Sequence, residues 1–215
     1  MARRAILCFG DSNTFGTIPM TTFADRGRHD EATRWPGVLA ERLGSAFHVI
    51  EEGLGGRTTV HDDPIEGANR NGLAYLIPCL ESHRPLEAVV IMLGTNDLKP
   101  RFSVTPTDIA FSLGVLVDAI GATRVGPNDG TPRILLVAPA PIEEVGELAG
   151  LFTGGAAKSR ALATAIETVA RSRNIGFLDA GAHIRVSPID GIHFAAEEQV
   201  KLGNAIAAAL GQILA

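Results

Sequence analysis

Five short apolar runs, at positions 5–10, 47–51, 88–93, 134–138 and 175–178, constrain the fold of this chain more than any other feature. They are rich in Val, Ile and Leu and lack the polar alternation of a half-exposed strand. A strand of that kind has to be covered on both faces. Between the runs lie apolar stripes at helical spacing. They are Trp35, Val38, Leu39 and Leu43; Ile109, Leu113, Leu116, Val117 and Ile120; Leu162, Ile166 and Val169; and Leu202, Ile206, Leu210 and Ile213. Pro36 suits an early helical position, and Pro106 with Thr105 or Thr107 starts the second stripe. Buried strands alternating with one-sided helices predict a five-stranded parallel sheet with helices on both faces, a three-layer α/β fold. Segments 121–132 and 139–155 read as surface loops. No internal repeat divides the chain, so residues 1–215 read as one domain.

Composition narrows the partners. Lys and Arg number 19 against 24 Asp and Glu, for a net charge of −5. That lacks the concentrated basic surface that nucleic-acid binding needs. With 46% apolar and 20% charged residues, disorder is excluded as well. No apolar run approaches the ~18 residues of a membrane span. The basic and then apolar start at positions 3–10 stops at Asp11, too soon for a signal peptide. Cys8 and Cys79 sit in apolar surroundings, as buried thiols of a reducing cytoplasm do. The expectation is a cytoplasmic protein acting on a small molecule, with neither nucleic acid nor membrane as partner.

In open parallel sheets, ligands bind beyond the carboxyl ends of the strands, so the residues just after each run carry the functional information. After the first comes Gly10-Asp11-Ser12-Asn13-Thr14-Phe15-Gly16. A serine there is exposed near a helix start, where amides favour negative charge; taken alone, the segment reads more simply as a turn capped by Asp11 or Ser12. After the second, Gly53-Leu54-Gly55-Gly56-Arg57 is either an amide-rich cradle or a tight turn. After the third, Asn96 of Gly94-Thr95-Asn96-Asp97 is either an oxyanion donor or a helix cap. After the fifth comes Asp190-Gly191-Ile192-His193-Phe194, in which a carboxylate can orient an imidazole.

The set says more than its members. Nucleophile, base, orienting carboxylate and oxyanion donors all fall after strands of one sheet, which is the equipment of acyl transfer. The other histidines (His29, His48, His61, His83 and His183) do not cluster at metal-ligand spacing, and His61-Asp62-Asp63 comes nearest to a metal site. No metal and no cofactor are expected. The rival from another class is a flavodoxin-like anion-binding protein using the same turns, which would leave His193 without a task. A Walker loop is not its means, because segment 154–159 lacks the glycine before Lys158.

These four blocks, in order and spread over nearly the whole chain, resemble the SGNH (GDSL) hydrolase superfamily. The pieces GDSNTFG, VIEEGLGGRTT, IMLGTND and DGIHF are similar to its arylesterase/acyltransferase branch, which includes perhydrolases. The resemblance implies a flavodoxin-like fold with strand order 2-1-3-4-5. It also implies a serine esterase that acts on short-chain acetyl and aryl esters through an acyl-serine, with acyltransferase or perhydrolase side activity. Ser12 becomes the nucleophile and one backbone donor of the oxyanion hole. Gly56, or Gly55 if the register shifts by one, becomes the second donor and the Asn96 amide the third. His193 becomes the base and Asp190 its orienting carboxylate. Homo-oligomers, often octamers that narrow access to the site, are a further implication. Two departures bear on the substrate pocket: Asn13 stands where Leu is common, and Phe15 where a larger aromatic is frequent. These two imply a wider or more polar acyl pocket. Phe15, Ile192 and Phe194, which flank the catalytic residues, would give it an apolar wall that favours a small alcohol over water, unless they are ordinary core packing. The same site would serve a carbohydrate deacetylase or a thioesterase/lysophospholipase, although one Trp and one Tyr offer no obvious sugar platform.

Overall fold

The computed structural model describes residues 3–214. Strands β1 (Arg4–Gly10), β2 (Phe47–Gly53), β3 (Leu86–Met92), β4 (Arg133–Ala138) and β5 (Gly176–Asp179) form one sheet in the order 2-1-3-4-5. Every neighbouring pair is parallel. Helices α1 (Ser12–Phe15), α2 (Trp35–Leu43), α3 (Gly72–His83), α4 (Pro106–Thr123), α5 (Gly155–Ser172) and α6 (Ala196–Leu214) connect the strands or follow the last of them. Because strand side chains alternate, Leu7, Phe9, Val89, Ile91 and Leu136 join a core with α3, α4 and α5. Ile6, Cys8, Val90, Leu135 and Val137 join a second core with α2 and α6. The three layers follow directly.

The central strands match the sequence reading most closely. From Ile6, Ala88 and Ile134 onward, β1, β3 and β4 are buried to their ends. The edge strands β2 and β5 are only half-buried. An edge position lets β2 carry Glu51 and run two residues past the apolar run, through Glu52 and Gly53. There Glu51 meets Arg34 at 2.5 Å and Arg28 at 3.2 Å. In α4, Thr105 and Asp108 close a reciprocal cap, so Thr105 rather than Thr107 is the start signal. By length and composition α4 could cross a membrane, yet Ile109, Leu113, Leu116 and Ile120 lie in the core.

Two elements depart from the sequence expectation. Helix α3 was not foreseen, since Pro78 sits inside it and its run GLAYLIPCL is apolar on nearly every side. Asn71 caps it by accepting from the Ala74 amide, and burial of Leu76, Cys79 and Leu80 fixes its inner face. The stretch 139–155 is not a plain surface loop either. Ala140, Ile142, Leu148 and Phe152 are buried, and Leu148, Leu151 and Phe152 form part of a pocket wall. Cys8 and Cys79 are both buried free thiols.

Candidate active site

The turn after β1 is built around α1. Asp11 caps that helix by accepting from the Asn13 amide at 2.9 Å, which puts Ser12 at its first position with its N–H free of helical bonding. Gly53 makes the arrangement possible. A side-chain carbon there would fall 2.1 Å from the Phe15 nitrogen, so only glycine lets α1 close over the end of β2. Burial pushes the Asp11 carboxyl up to about 6, against the opposing pull of the Asn13 amide and of the charges of His193 and Arg57.

The segment after β5 delivers the carboxylate and imidazole to the same place. His193 Nε2 lies 3.1 Å from Ser12 Oγ, and His193 Nδ1 lies 2.6 Å from Asp190 Oδ2. The carboxylate is held from every side. Its Oδ1 accepts from the Ile192 and His193 amides, each at 3.0 Å, and Oδ2 accepts from the Met20 amide at 2.7 Å. Burial alone would raise the Asp190 carboxyl. The His193 hydrogen bond and charge, with the backbone donors, outweigh burial and hold it below its ordinary value. An ionised Asp190 needs a proton on Nδ1, which leaves the Nε2 lone pair facing the serine hydroxyl.

The donors lie on the turns after β2 and β3. Asn96 Nδ2 donates to the Arg57 carbonyl at 3.0 Å, which fixes the amide plane and leaves its second hydrogen available. The N–H groups of Ser12, Gly55 and Gly56 have no hydrogen-bond partner among the described residues. Gly56 has φ +75°, and the Arg57 N–H closes the turn onto the Leu54 carbonyl at 3.1 Å. Arg57 anchors this turn. Its buried guanidinium donates to the Gly10 and Glu52 carbonyls and lies 4.1 Å over the Phe9 ring. Asp97 takes the Thr59 hydroxyl at 2.5 Å and the Thr59 amide at 3.1 Å. Sequence reasoning missed Arg57, Thr59 and Asp97 as supports. The sequence signal for them is an Arg-Thr-Thr run directly after the glycine turn and a carboxylate directly after the asparagine.

Ser12, Gly55, Gly56, Asn96 and His193 open into a cavity of about 820 Å³. Phe15 and Ile192 line it as expected, and Asn13 and Phe194 do not. Asn13 is buried beneath the site. Its Nδ2 donates to the Ile192 carbonyl and its carbonyl accepts from Gln199, so the amide straps α1 to the Asp190–His193 segment. Phe194 points into the core between the sheet and helices α2 and α6. The polarity expected from Asn13 is thus turned away from the pocket. Polarity enters elsewhere, through Glu66, Arg70, Lys99 and Arg101, whose positions in loops hid them from the sequence reading.

The metal-like string His61-Asp62-Asp63 is dispersed. His61 lies 3.7 Å from Asp97, Asp62 accepts from Asn71 and Asp63 accepts from Arg101. Among the described residues, Glu52, Cys79 and His83 could present three ligand atoms to a metal. They lie outside the pocket. Burial raises the Cys79 thiol to about 12, and the fixed charge of Arg57 nearby opposes a cation there.

The family model of the GDSL-like Lipase/Acylhydrolase family matches residues 8–198. The inhibitor-bound aryl esterase of M. smegmatis superimposes with a TM-score of 0.93 at 41% identity, covering 98% of this chain and 99% of that one. A carbohydrate acetylesterase from Sinorhizobium meliloti gives a TM-score of 0.93 at 42% identity over the same shares. A carbohydrate acetylesterase family member from that organism gives 0.89 at 36% identity, again over 98% and 99%. Comparison with curated proteins gave no match.

Proposed function

The chain belongs to the GDSL-like lipase/acylhydrolase family and is a carboxylic ester hydrolase, and from that premise we propose that it cleaves short-chain acetyl and aryl esters through an acyl-enzyme on Ser12. The observation that carries this reading is the chain of contacts from Asp190 through His193 to Ser12, facing three free donors. His193 takes the hydroxyl proton as Ser12 Oγ attacks the ester carbonyl. The Ser12 N–H, the Gly56 N–H (or its neighbour at Gly55) and the Asn96 amide then hold the oxyanion. Collapse expels the alcohol, which receives the proton from His193. Water repeats the sequence in reverse and frees the acid. Parallel assay of phenyl acetate, an acetylated sugar and an acetyl thioester tests the substrate class. The highest kcat/KM is expected on an oxygen ester, and a thioester preferred over both would contradict the proposal. Acetylated sugars are a second substrate class, favoured by the likeness to the Sinorhizobium meliloti acetylesterase.

Asn96 serves charge that exists only in the tetrahedral intermediate. Asn96→Ala should therefore lower kcat about 10²–10³-fold with little change in KM. Steady-state kinetics on phenyl acetate check this, and a loss confined to KM would mean that the amide binds the ground state.

The acyl-serine accepts whichever nucleophile His193 can deprotonate, so transfer to alcohols is part of the proposal. Phe15 and Ile192 give the cavity an apolar wall beside the reacting atoms, where a small alcohol competes well with water. With vinyl acetate in buffer containing a few per cent of a primary alcohol, chromatography should find more new ester than the alcohol-to-water ratio dictates. Partitioning at that ratio would mark a plain hydrolase.

A further inference from the structure

Arg70 lines the active-site cavity against the glycine turn. A side-chain carbon on Gly56 would fall 2.5 Å from Glu66 Oε2 and 3.1 Å from Arg70 Nε, so both side chains sit beside the proposed oxyanion donor, with the Arg70 fork over Gly67. Its Nε is buried, and its side chain forms neither an ion pair nor a hydrogen bond among the described residues. Glu66, on the same wall, forms no ion pair with Arg70 and gives its Oε1 to other cations. Lys99 and Arg101 both bind Glu66 Oε1, and Arg101 also binds Asp63 Oδ2 at 2.7 Å. Across the cavity the Asp25 carboxylate is occupied by the amides and hydroxyls of Thr21 and Thr22. On this wall Arg70, Lys99 and Arg101 line the cavity with Glu66, and the second carboxylate, Asp63, is buried behind it on Arg101, inside a chain whose net charge is −5. Arg26, which also lines the cavity, donates to the Phe23 and Asp25 carbonyls, so among the described residues Arg70 is the lining cation whose side chain has no hydrogen-bond partner.

An arginine cannot escape burial by losing its proton, and its planar fork matches a carboxylate with two parallel hydrogen bonds. We propose that Arg70 is a specificity-determining residue that binds a carboxylate on the substrate, so that the preferred substrates are anionic esters. The inference rests on the esterase reading and names its substrate class. A charge-assisted pair in a partly buried site should favour the anionic ester by about 10–100-fold.

The test compares 4-acetoxybenzoate with its neutral counterpart 4-acetoxybenzamide, with phenyl acetate as reference. The ratio of kcat/KM for acid over amide is taken within each variant, so a general loss of activity cancels. Wild type should favour the acid about 10–100-fold, mainly through KM, with a preference that shrinks as salt is added. Arg70→Gln should bring the ratio to about one, and Arg70→Lys should keep part of it. Should Arg70→Gln fail to fold, the Arg70→Lys ratio and the wild-type salt dependence carry the same information. A wild-type ratio near one, or a ratio that survives Arg70→Gln, would overturn the inference while leaving the esterase intact. If neither phenyl acetate nor the two test esters is cleaved, the esterase reading itself falls and takes the inference with it.

Discussion

Replacing Ser12 with alanine should lower kcat on phenyl acetate by about 10⁴–10⁶-fold, the scale of a lost nucleophile in a serine triad. The hydroxyl hydrogen-bonds only His193 among the described residues, at 3.1 Å. Alanine keeps the first position of α1, and its N–H stays where the oxyanion would form. The fold therefore loses little while the chemistry loses its attacking atom. The rate that survives should be that of the donors acting on direct attack by water. Thermal melting of the variant alongside its kinetics separates the two effects. A melting curve close to wild type with kcat reduced by less than about 10²-fold would remove Ser12 from the mechanism.

Asp190→Asn should be nearly as damaging, about 10⁴-fold in kcat, the value for the equivalent change in the worked serine-protease triad. The local geometry explains why. Asp190 presents acceptors on both oxygens, Oδ1 to two amides and Oδ2 to the Met20 amide and His193 Nδ1. Asparagine can keep its oxygen toward only one pair. With oxygen toward the Ile192 and His193 amides, its NH₂ meets Met20 N–H and donates to Nδ1. That places the imidazole proton on Nε2, pointing at Ser12, and the base becomes a donor. The opposite orientation strips two buried amides of their acceptor, at about 1–3 kcal/mol for each unsatisfied group. Charge adds a pH signature. Since the folded state depresses the Asp190 carboxyl, its contribution to stability is present above the ordinary carboxylate range. It is lost as the pH falls through the lowered value. Melting curves recorded against pH should therefore fall less steeply on the acid side in Asp190→Asn than in wild type.

What could be read in the sequence, and what could not, follows from how far each feature depends on tertiary context. The central strands declared themselves because burial on both faces leaves no polar residue in them from Ile6, Ala88 and Ile134 onward. The end of β2 did not, because its two carboxylates are tolerated only at a sheet edge, Glu51 beside Arg34 and Arg28 and Glu52 beside His83. Pro78 hid α3, whose stability comes from packing on the sheet rather than from propensity. The catalytic candidates were legible as a set because each follows a strand of one parallel sheet, and the topology alone then gathers them at one edge. Asn13 and Phe194 were misassigned for one reason. Adjacency in sequence to a site residue does not fix the direction of a side chain, and both turn under the site into the packing between layers. The charged wall of Glu66, Arg70, Lys99 and Arg101 was invisible because no periodicity links its loops.

The central claim is that one serine, Ser12, becomes covalently acylated. Treating the protein with an aryl organophosphonate and measuring intact mass tests it most directly. The reading of the site predicts a single adduct per chain, mapped by peptide mass to Ser12 and missing from Ser12→Ala. An adduct on another residue, or one that persists in Ser12→Ala, would contradict it.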